Sequence, residues 1–179
     1  MLLTEQEFLE YELNHGIGMH NDFFKDLARN TVSQIEDLPV VSVLDYGAGT
    51  GVYSDAYFKA GYHIVAFEIF KSHREYMKQN VAYVEIIDEP ITTDLLNFIE
   101  TAEHMTDKEL DCLFSKIEPK FILFSSTSQR VPGFDEQWGH INIKEQDEWD
   151  SYFKTKGYSK LKDLSLPTTW SKLYTNGNQ

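Results

Sequence analysis

The sequence predicts an α/β protein built on one doubly wound sheet, mostly parallel with an antiparallel C-terminal strand, and preceded by N-terminal helices. Three observations carry this. From Val40 onward, short apolar runs alternate with stretches of helical periodicity, the pattern of a parallel sheet with crossover helices. One run, Val41-Ser-Val-Leu-Asp45, breaks into glycines at 47, 49 and 51, so a buried strand enters a loop whose backbone passes close to a ligand. The last apolar segments, 158–166 and 170–174, flank Pro167 and read as a closing strand pair that adds the antiparallel edge.

The elements follow in order. Thr4-Glu-Gln-Glu7 has capping-box spacing and leads into Phe8, Leu9 and Leu13, which opens a first helix. Phe24, Leu27, Ala28, Val32 and Ile35 fall on one face of a second. The segment between them, Asn14 to Asn21, carries His15 and His20, read as solvated loop residues or as parts of a lid. Strands are expected near 40–45, 63–68, 82–87, 93–99 and 120–125. A second capping box, Thr106-Asp-Lys-Glu109, opens a helix with the apolar series Leu110, Leu113, Phe114 and Ile117. A long polar loop then runs from Ser125 to Lys144. Trp149, Tyr152 and Phe153 mark a last helix, ended by Gly157.

Length and composition bound the organisation. With 179 residues and 41% hydrophobic content, the chain forms one domain, 1–179, comprising a helical extension over 1–38 and a core over 39–179. No apolar run approaches the ~18 residues of a membrane span, and the first residues lack the regions of a signal peptide. A cytoplasmic location is therefore expected. The single Cys112 excludes an internal disulfide and a cysteine-built zinc site, and its place among Leu110 and Leu113 reads as a helix position. The net charge of −13, from 29 acids against 16 Lys and Arg without a basic cluster, disfavours duplex nucleic acid. Oligomeric state is not legible.

The glycine loop has further context. Seventeen residues past Gly51, the run His63-Ile-Val-Ala-Phe ends at Glu68. An acid at the tip of the second strand is where a ribose presents its hydroxyls in doubly wound folds. The spacing Gly47-x-Gly49-x-Gly51 differs from the Gly-x-Gly-x-x-Gly of dinucleotide folds. Asp45, two positions before the first glycine, would repel a pyrophosphate but suits an ammonium group. These residues resemble motif I of the class I S-adenosylmethionine-dependent methyltransferases. The resemblance implies that the glycine loop packs against the methionine part of the cofactor and that Glu68 grips the ribose. It further implies that Asp88, after the third strand, contacts the adenine amino group, whereas Glu89-Pro90 beside it also fits a solvated turn.

A second constellation follows the fourth strand. Glu100, Glu103 and His104 have i, i+3, i+4 spacing, which places them together if they form a helical turn. His140 lies in the loop after the fifth strand, which opens on the same edge of the sheet. Two carboxylates and two imidazoles suit a divalent cation such as Mg²⁺ or Mn²⁺, with Fe²⁺ and Zn²⁺ also compatible. The alternatives are a capping or hydrogen-bonding role for these groups, or general-base service by His104 or His140. Glu-x-x-Glu-His with a later His resembles metal-dependent O-methyltransferases, including small-RNA 3′-end and coenzyme Q biosynthetic enzymes. Together with Phe98–Met105, Ile122–Ser126 and Gly139–Asn142, it is similar to a bacterial and phage group of small methyltransferases over roughly residues 40–175. The first 38 residues carry no such resemblance. Trp138 reads as a loop anchor or as a wall for a ring, and Ser125 to Ser128 as loop hydrogen-bonders.

The resemblance thus implies an enzyme that methylates an oxygen of a small hydroxylated acceptor with S-adenosylmethionine and a divalent cation. An N-methyltransferase or a nucleotide- or RNA-end-modifying enzyme of the same fold is the first alternative. A S-adenosylmethionine-binding protein without transfer activity is the second.

Overall fold

The computed structural model describes residues 3–128, 130, 131, 133–168 and 170–177, so the ends of the expected 1–179 domain lie outside the described residues. Seven strands form one sheet: β1 Ser42–Tyr46, β2 His63–Phe67, β3 Glu85–Ile87, β4 Leu95–Ile99, β5 Phe121–Ser125, β6 Ser159–Leu164 and β7 Ser171–Thr175. Their spatial order is β3-β2-β1-β4-β5-β7-β6. The first five strands pair in parallel, and β7 runs antiparallel between β5 and β6. The helices are α1 Glu5–Asn14, α2 Asp22–Ser33, α3 Val52–Lys59, α4 Lys71–Asn80, α5 Asp107–Lys116, α6 Phe134–Trp138 and α7 Gln146–Thr155.

The central strands are apolar on both faces because both faces are covered. Val43, Leu95, Phe121 and Leu123 pack with Ala28 and Val32 of α2, Ala56 and Tyr57 of α3 and Met77 of α4. Leu44, Leu96, Phe98, Ile122 and Phe124 pack on the other side with Leu110 and Leu113 of α5 and Trp149 and Phe153 of α7. Alternate residues of one strand thus enter different layers, as the pleat dictates. Both capping boxes form as their spacing predicts, at Thr4–Glu7 and Thr106–Glu109. Cys112 is helical but exposed, on the solvent side of α5. Strand β3 is shorter than 82–87, since α4 runs to Asn80 and a turn intervenes. The loop after β5 contains α6, which the polar sequence concealed. No helix among the described residues is long and apolar enough to cross a membrane.

At the N-terminal ends of β1 and β4, Asp94 ties the two strands together. Its Oδ2 accepts the backbone N–H groups of Val41 and Ser42 and the Ser42 hydroxyl, each at 3.0 Å, and Lys120 approaches Oδ1 at 3.1 Å. Burial opposes ionisation, but these donors hold the carboxyl down at about 2, against an ordinary 3.8. A depressed acid stabilises the fold above its unfolded value and loses that contribution as pH falls through its folded value. Asp94→Ala should therefore destabilise the protein by about 2 kcal/mol at neutral pH, since it leaves two strand-end amides without their acceptor. In urea melts the gap from wild type should close between pH 3.8 and about 2. A gap unchanged across that window would exclude this role.

Between β1 and β4 the strand order reverses, which opens a crevice at the carboxyl ends of the strands. The glycine loop, Glu68 and the Glu/His cluster all belong to that edge.

Candidate functional site

The loop after β1 is held by β2. Gly47 and Ala48 donate their N–H groups to the Phe67 carbonyl at 2.8 and 3.1 Å, and Gly49 donates to Glu68 Oε2 at 2.8 Å. All three glycines have positive φ, at 73°, 53° and 78° for Gly47, Gly49 and Gly51, a region that side chains rarely adopt. They are glycines for different reasons. A Cβ on Gly47 would sit 2.4 Å from the Thr101 methyl, and one on Gly51 would meet Val81 at 2.9 Å and Met77 at 3.1 Å. A Cβ on Gly49 would meet nothing closer than 4.0 Å. Gly47 and Gly51 therefore answer to packing within the protein, and only Gly49 faces room for a ligand.

Asp45 is 3% exposed, and its carboxylate accepts from Ser54 Oγ at 2.6 Å and Asn97 Nδ2 at 2.7 Å. Tyr57 in turn donates to Asn97 Oδ1 at 3.1 Å. Burial raises the Asp45 carboxyl above its usual range despite these bonds. The acid thus joins β1, β4 and α3 beneath the loop. Ser54 and Asn97 carried no signal in the sequence, because short polar residues inside elements look like any others.

Glu68 is also buried, with Oε2 on the Gly49 amide and Oε1 on the Phe70 amide at 2.7 Å. Desolvation raises its pKa, opposed by the Phe70 amide, His73 and the Gly49 amide. The next residue, Ile69, is 77% exposed, an apolar side chain standing at the open end of β2. Nothing in the sequence marks this residue out, because a single isoleucine after a strand looks like part of its apolar run. Asp88 follows β3 with an exposed carboxylate and pairs with Arg74 at 2.6 Å.

The second constellation assembles differently from the helical turn expected. Glu100 takes a left-handed φ of 48° and lies outside the single 3₁₀ turn, Ala102–His104. Glu103, His104 and His140 nevertheless converge, each with a ligating atom within 4.8 Å of the others. Glu100 is not in that group, although its carboxyl is the neighbouring charge that helps to raise Glu103. The loop after β5 is brought in by the main chain of the 3₁₀ turn, where the Glu103 carbonyl accepts Ile141 and Asn142 N–H at 2.8 and 2.9 Å. The rings of His104 and His140 lie 5.0 Å apart.

The electrostatics follow from burial. Glu103 is fully buried and accepts from Ser126 Oγ at 3.0 Å; desolvation and the neighbouring Glu100 push its pKa well above the carboxylate range. Burial raises the Glu100 carboxyl too. Burial and the adjacent His140 lower His104 to about 4, which leaves its imidazole neutral at pH 7. His140 is oriented by Asp135, whose Oδ1 lies 3.0 Å from Nδ1 and whose carbonyl accepts the His140 N–H at 2.9 Å. A carboxylate on one imidazole nitrogen is the arrangement that orients a metal-binding histidine through the other. Asp135, five residues from His140 in a polar loop, was indistinguishable from a solvated acid in the sequence.

Helix α1 covers this edge. The Phe8 ring lies 5.7 Å from Trp138, 6.3 Å from His104 and 5.9 Å from Phe70, and Tyr11 lies 4.8 Å from Trp138. His15 accompanies Tyr11, with ring centroids 4.2 Å apart.

A sheet of this order, with its glycine loop and strand-tip acid, has the fold of the class I S-adenosylmethionine-dependent methyltransferases. The solved structures it resembles bear this out. The amino pentose methyltransferase CalS10 of Micromonospora echinaspora, solved with S-adenosylmethionine, superposes with a TM-score of 0.68 at 12% identity, over 93% of this chain and 96% of that one. The magnesium protoporphyrin IX methyltransferase of Synechocystis PCC 6803, with bound S-adenosylhomocysteine, gives 0.62 at 16% identity over 93% and 92%. The pyocyanin biosynthetic protein PhzM gives 0.63 at 13% identity over 85% of this chain, which spans only 55% of that protein. No protein-family model matches the sequence, and no curated protein matches it.

Proposed function

We propose that the protein transfers a methyl group from S-adenosylmethionine to a hydroxyl oxygen of a small acceptor, with a divalent cation at Glu103, His104 and His140. The observation that carries the reading is the pairing of open space at Gly49 with the desolvated Glu68 carboxylate beside it. Glu68 would accept the two ribose hydroxyls, using the lone pairs its backbone donors leave. Ile69 offers an apolar face for the base, and the methionine part lies along Gly49. When bound, the cofactor supplies an electrophilic methyl carbon attached to a sulfonium. Similarity to methyltransferases solved with this cofactor or its product supports the assignment.

What the chain itself contributes is alignment and proton handling. Methyl transfer is an in-line displacement, so holding acceptor and methyl in register and excluding water supply most of the acceleration. The acceptor hydroxyl has to lose its proton. A cation among these three ligands would lower that hydroxyl's pKa. The donor set fits one, since a neutral imidazole, a carboxyl and a carboxylate-oriented imidazole converge within 4.8 Å. In the second reading a histidine takes the proton directly, favoured by the Asp135–His140 contact, which holds that imidazole in one orientation.

A screen with methyl-labelled cofactor over vicinal diols, catechols and amines, with and without chelator, tests this. Label should enter a hydroxyl acceptor and disappear with chelator. Label on amines alone would replace oxygen by nitrogen as the target. Cofactor binding without transfer to any acceptor would leave a binding protein.

A further inference from the structure

The root of the crevice is bridged by one side chain. The ladder between β1 and β4 ends at Asp45 and Asn97, although β4 continues to Ile99. Beyond that point Thr101 takes over from the ladder. Its hydroxyl donates to the Tyr46 carbonyl of β1 at 3.3 Å and to the Ile99 carbonyl of β4 at 2.9 Å, one proton shared between two strand ends. Its methyl and its oxygen occupy the space where a Cβ on Gly47 would stand, so the glycine loop rests directly on this residue.

Thr101 is equally the root of the Glu/His cluster. The left-handed bend at Glu100, whose N–H goes to the Ser125 carbonyl at 2.9 Å, delivers Thr101 to its place. The Thr101 carbonyl then accepts the His104 N–H at 3.1 Å within the 3₁₀ turn. His140 hangs from the same turn, since Ile141 and Asn142 donate to the Glu103 carbonyl and Asn142 Nδ2 donates to the Met105 carbonyl at 2.9 Å. One residue therefore supports the loop with its side chain and the cluster with its main chain.

We propose that Thr101 is a positioning residue shared by both halves of the site: it fixes the cluster against the glycine loop and so sets the separation of acceptor oxygen and methyl carbon. This rests on the proposed function, in which the loop holds S-adenosylmethionine and the cluster a divalent cation. The separation matters because displacement at carbon tolerates little misplacement; an error of about 1 Å costs about a hundredfold in rate.

The test uses the full chain, S-adenosylmethionine carrying ¹³C in its methyl group, and Mn²⁺. Calorimetry gives the affinity for each, and relaxation of the methyl carbon by Mn²⁺, which falls with the sixth power of distance, reports their separation. Thr101→Ala should weaken each ligand about tenfold, as loss of a support behind a metal site does. It should also change the relaxation about twofold, because the two halves lose the tolerance of about 0.5 Å that a working site requires. Thr101→Val, nearly the same shape without the hydroxyl, should act in the same direction and decides the matter if the alanine variant melts early. Thr101→Ser keeps the bridge and should restore both affinities and the relaxation. As controls, Glu68→Ala should lose only the cofactor and His104→Ala only Mn²⁺. If the alanine or valine variant binds both ligands like wild type with unchanged relaxation, or loses only one ligand, the shared positioning role is overturned. If wild type itself fails to bind the cofactor or Mn²⁺, that half of the proposed function falls, and the positioning role with it.

Discussion

Glu68→Ala is expected to weaken S-adenosylhomocysteine about a hundredfold. The substitution removes a desolvated carboxylate that would accept two ribose hydroxyls, and charge-assisted bonds of this kind contribute about 1.5–3 kcal/mol each. It also frees the Gly49 and Phe70 amides that now define the mouth of the site. Gly49→Val should abolish binding by a different route, placing a branched side chain in the open space that this glycine, unlike Gly47 and Gly51, borders. A β-branched residue at φ 53° also strains the loop by about 1–3 kcal/mol, which a typical domain survives. Calorimetry decides the matter. Unchanged affinity in both variants, or equal preference for a dinucleotide, would remove the cofactor assignment.

The second large effect concerns the cluster beyond β4. His104→Ala and His140→Ala should each lower divalent-cation affinity about a hundredfold, and Asp135→Asn about tenfold, because outer partners of ligating histidines carry losses of that order. Cofactor binding should survive all three, since Gly49 and Glu68 lie in the loops after β1 and β2. The pH dependence has a definite sign. His104, already lowered to about 4, does not compete for protons near neutrality, whereas burial and the neighbouring Glu100 make Glu103 hold its proton to higher pH than an ordinary carboxyl. Cation affinity should therefore rise with pH as the Glu103 proton is released. Metal content and methyl transfer, measured with and without chelator, distinguish the alternatives. Transfer indifferent to chelator but lost in either histidine variant makes the histidines direct proton acceptors. Indifference to chelator and to both substitutions makes the cluster structural.

Strand-by-strand alternation, both capping boxes, the glycine loop and the acid at the tip of β2 were all legible in the sequence, because each is set by neighbours a few residues away. Thr4 and Glu7 meet whatever the rest of the chain does, and a run such as Phe121-Ile-Leu-Phe is buried on both faces wherever it is placed. Local periodicity misled at Glu100, where a left-handed bend breaks the helical turn that i, i+3, i+4 spacing implied. What only the tertiary structure decided is which groups face one another. Gly47 is a glycine because Thr101, more than fifty residues away, packs on it, while of the three loop glycines Gly49 borders open space. Asp45 is engaged by Ser54 and Asn97 beneath the loop. His104 and His140 meet because the Glu103 carbonyl captures the loop after β5, and Phe8 of the N-terminal helix packs against His104. Elements are dictated by short-range propensity and patterning. Convergence of side chains depends on how the packed layers bring distant segments to one edge of the sheet, and no spacing along the chain encodes it.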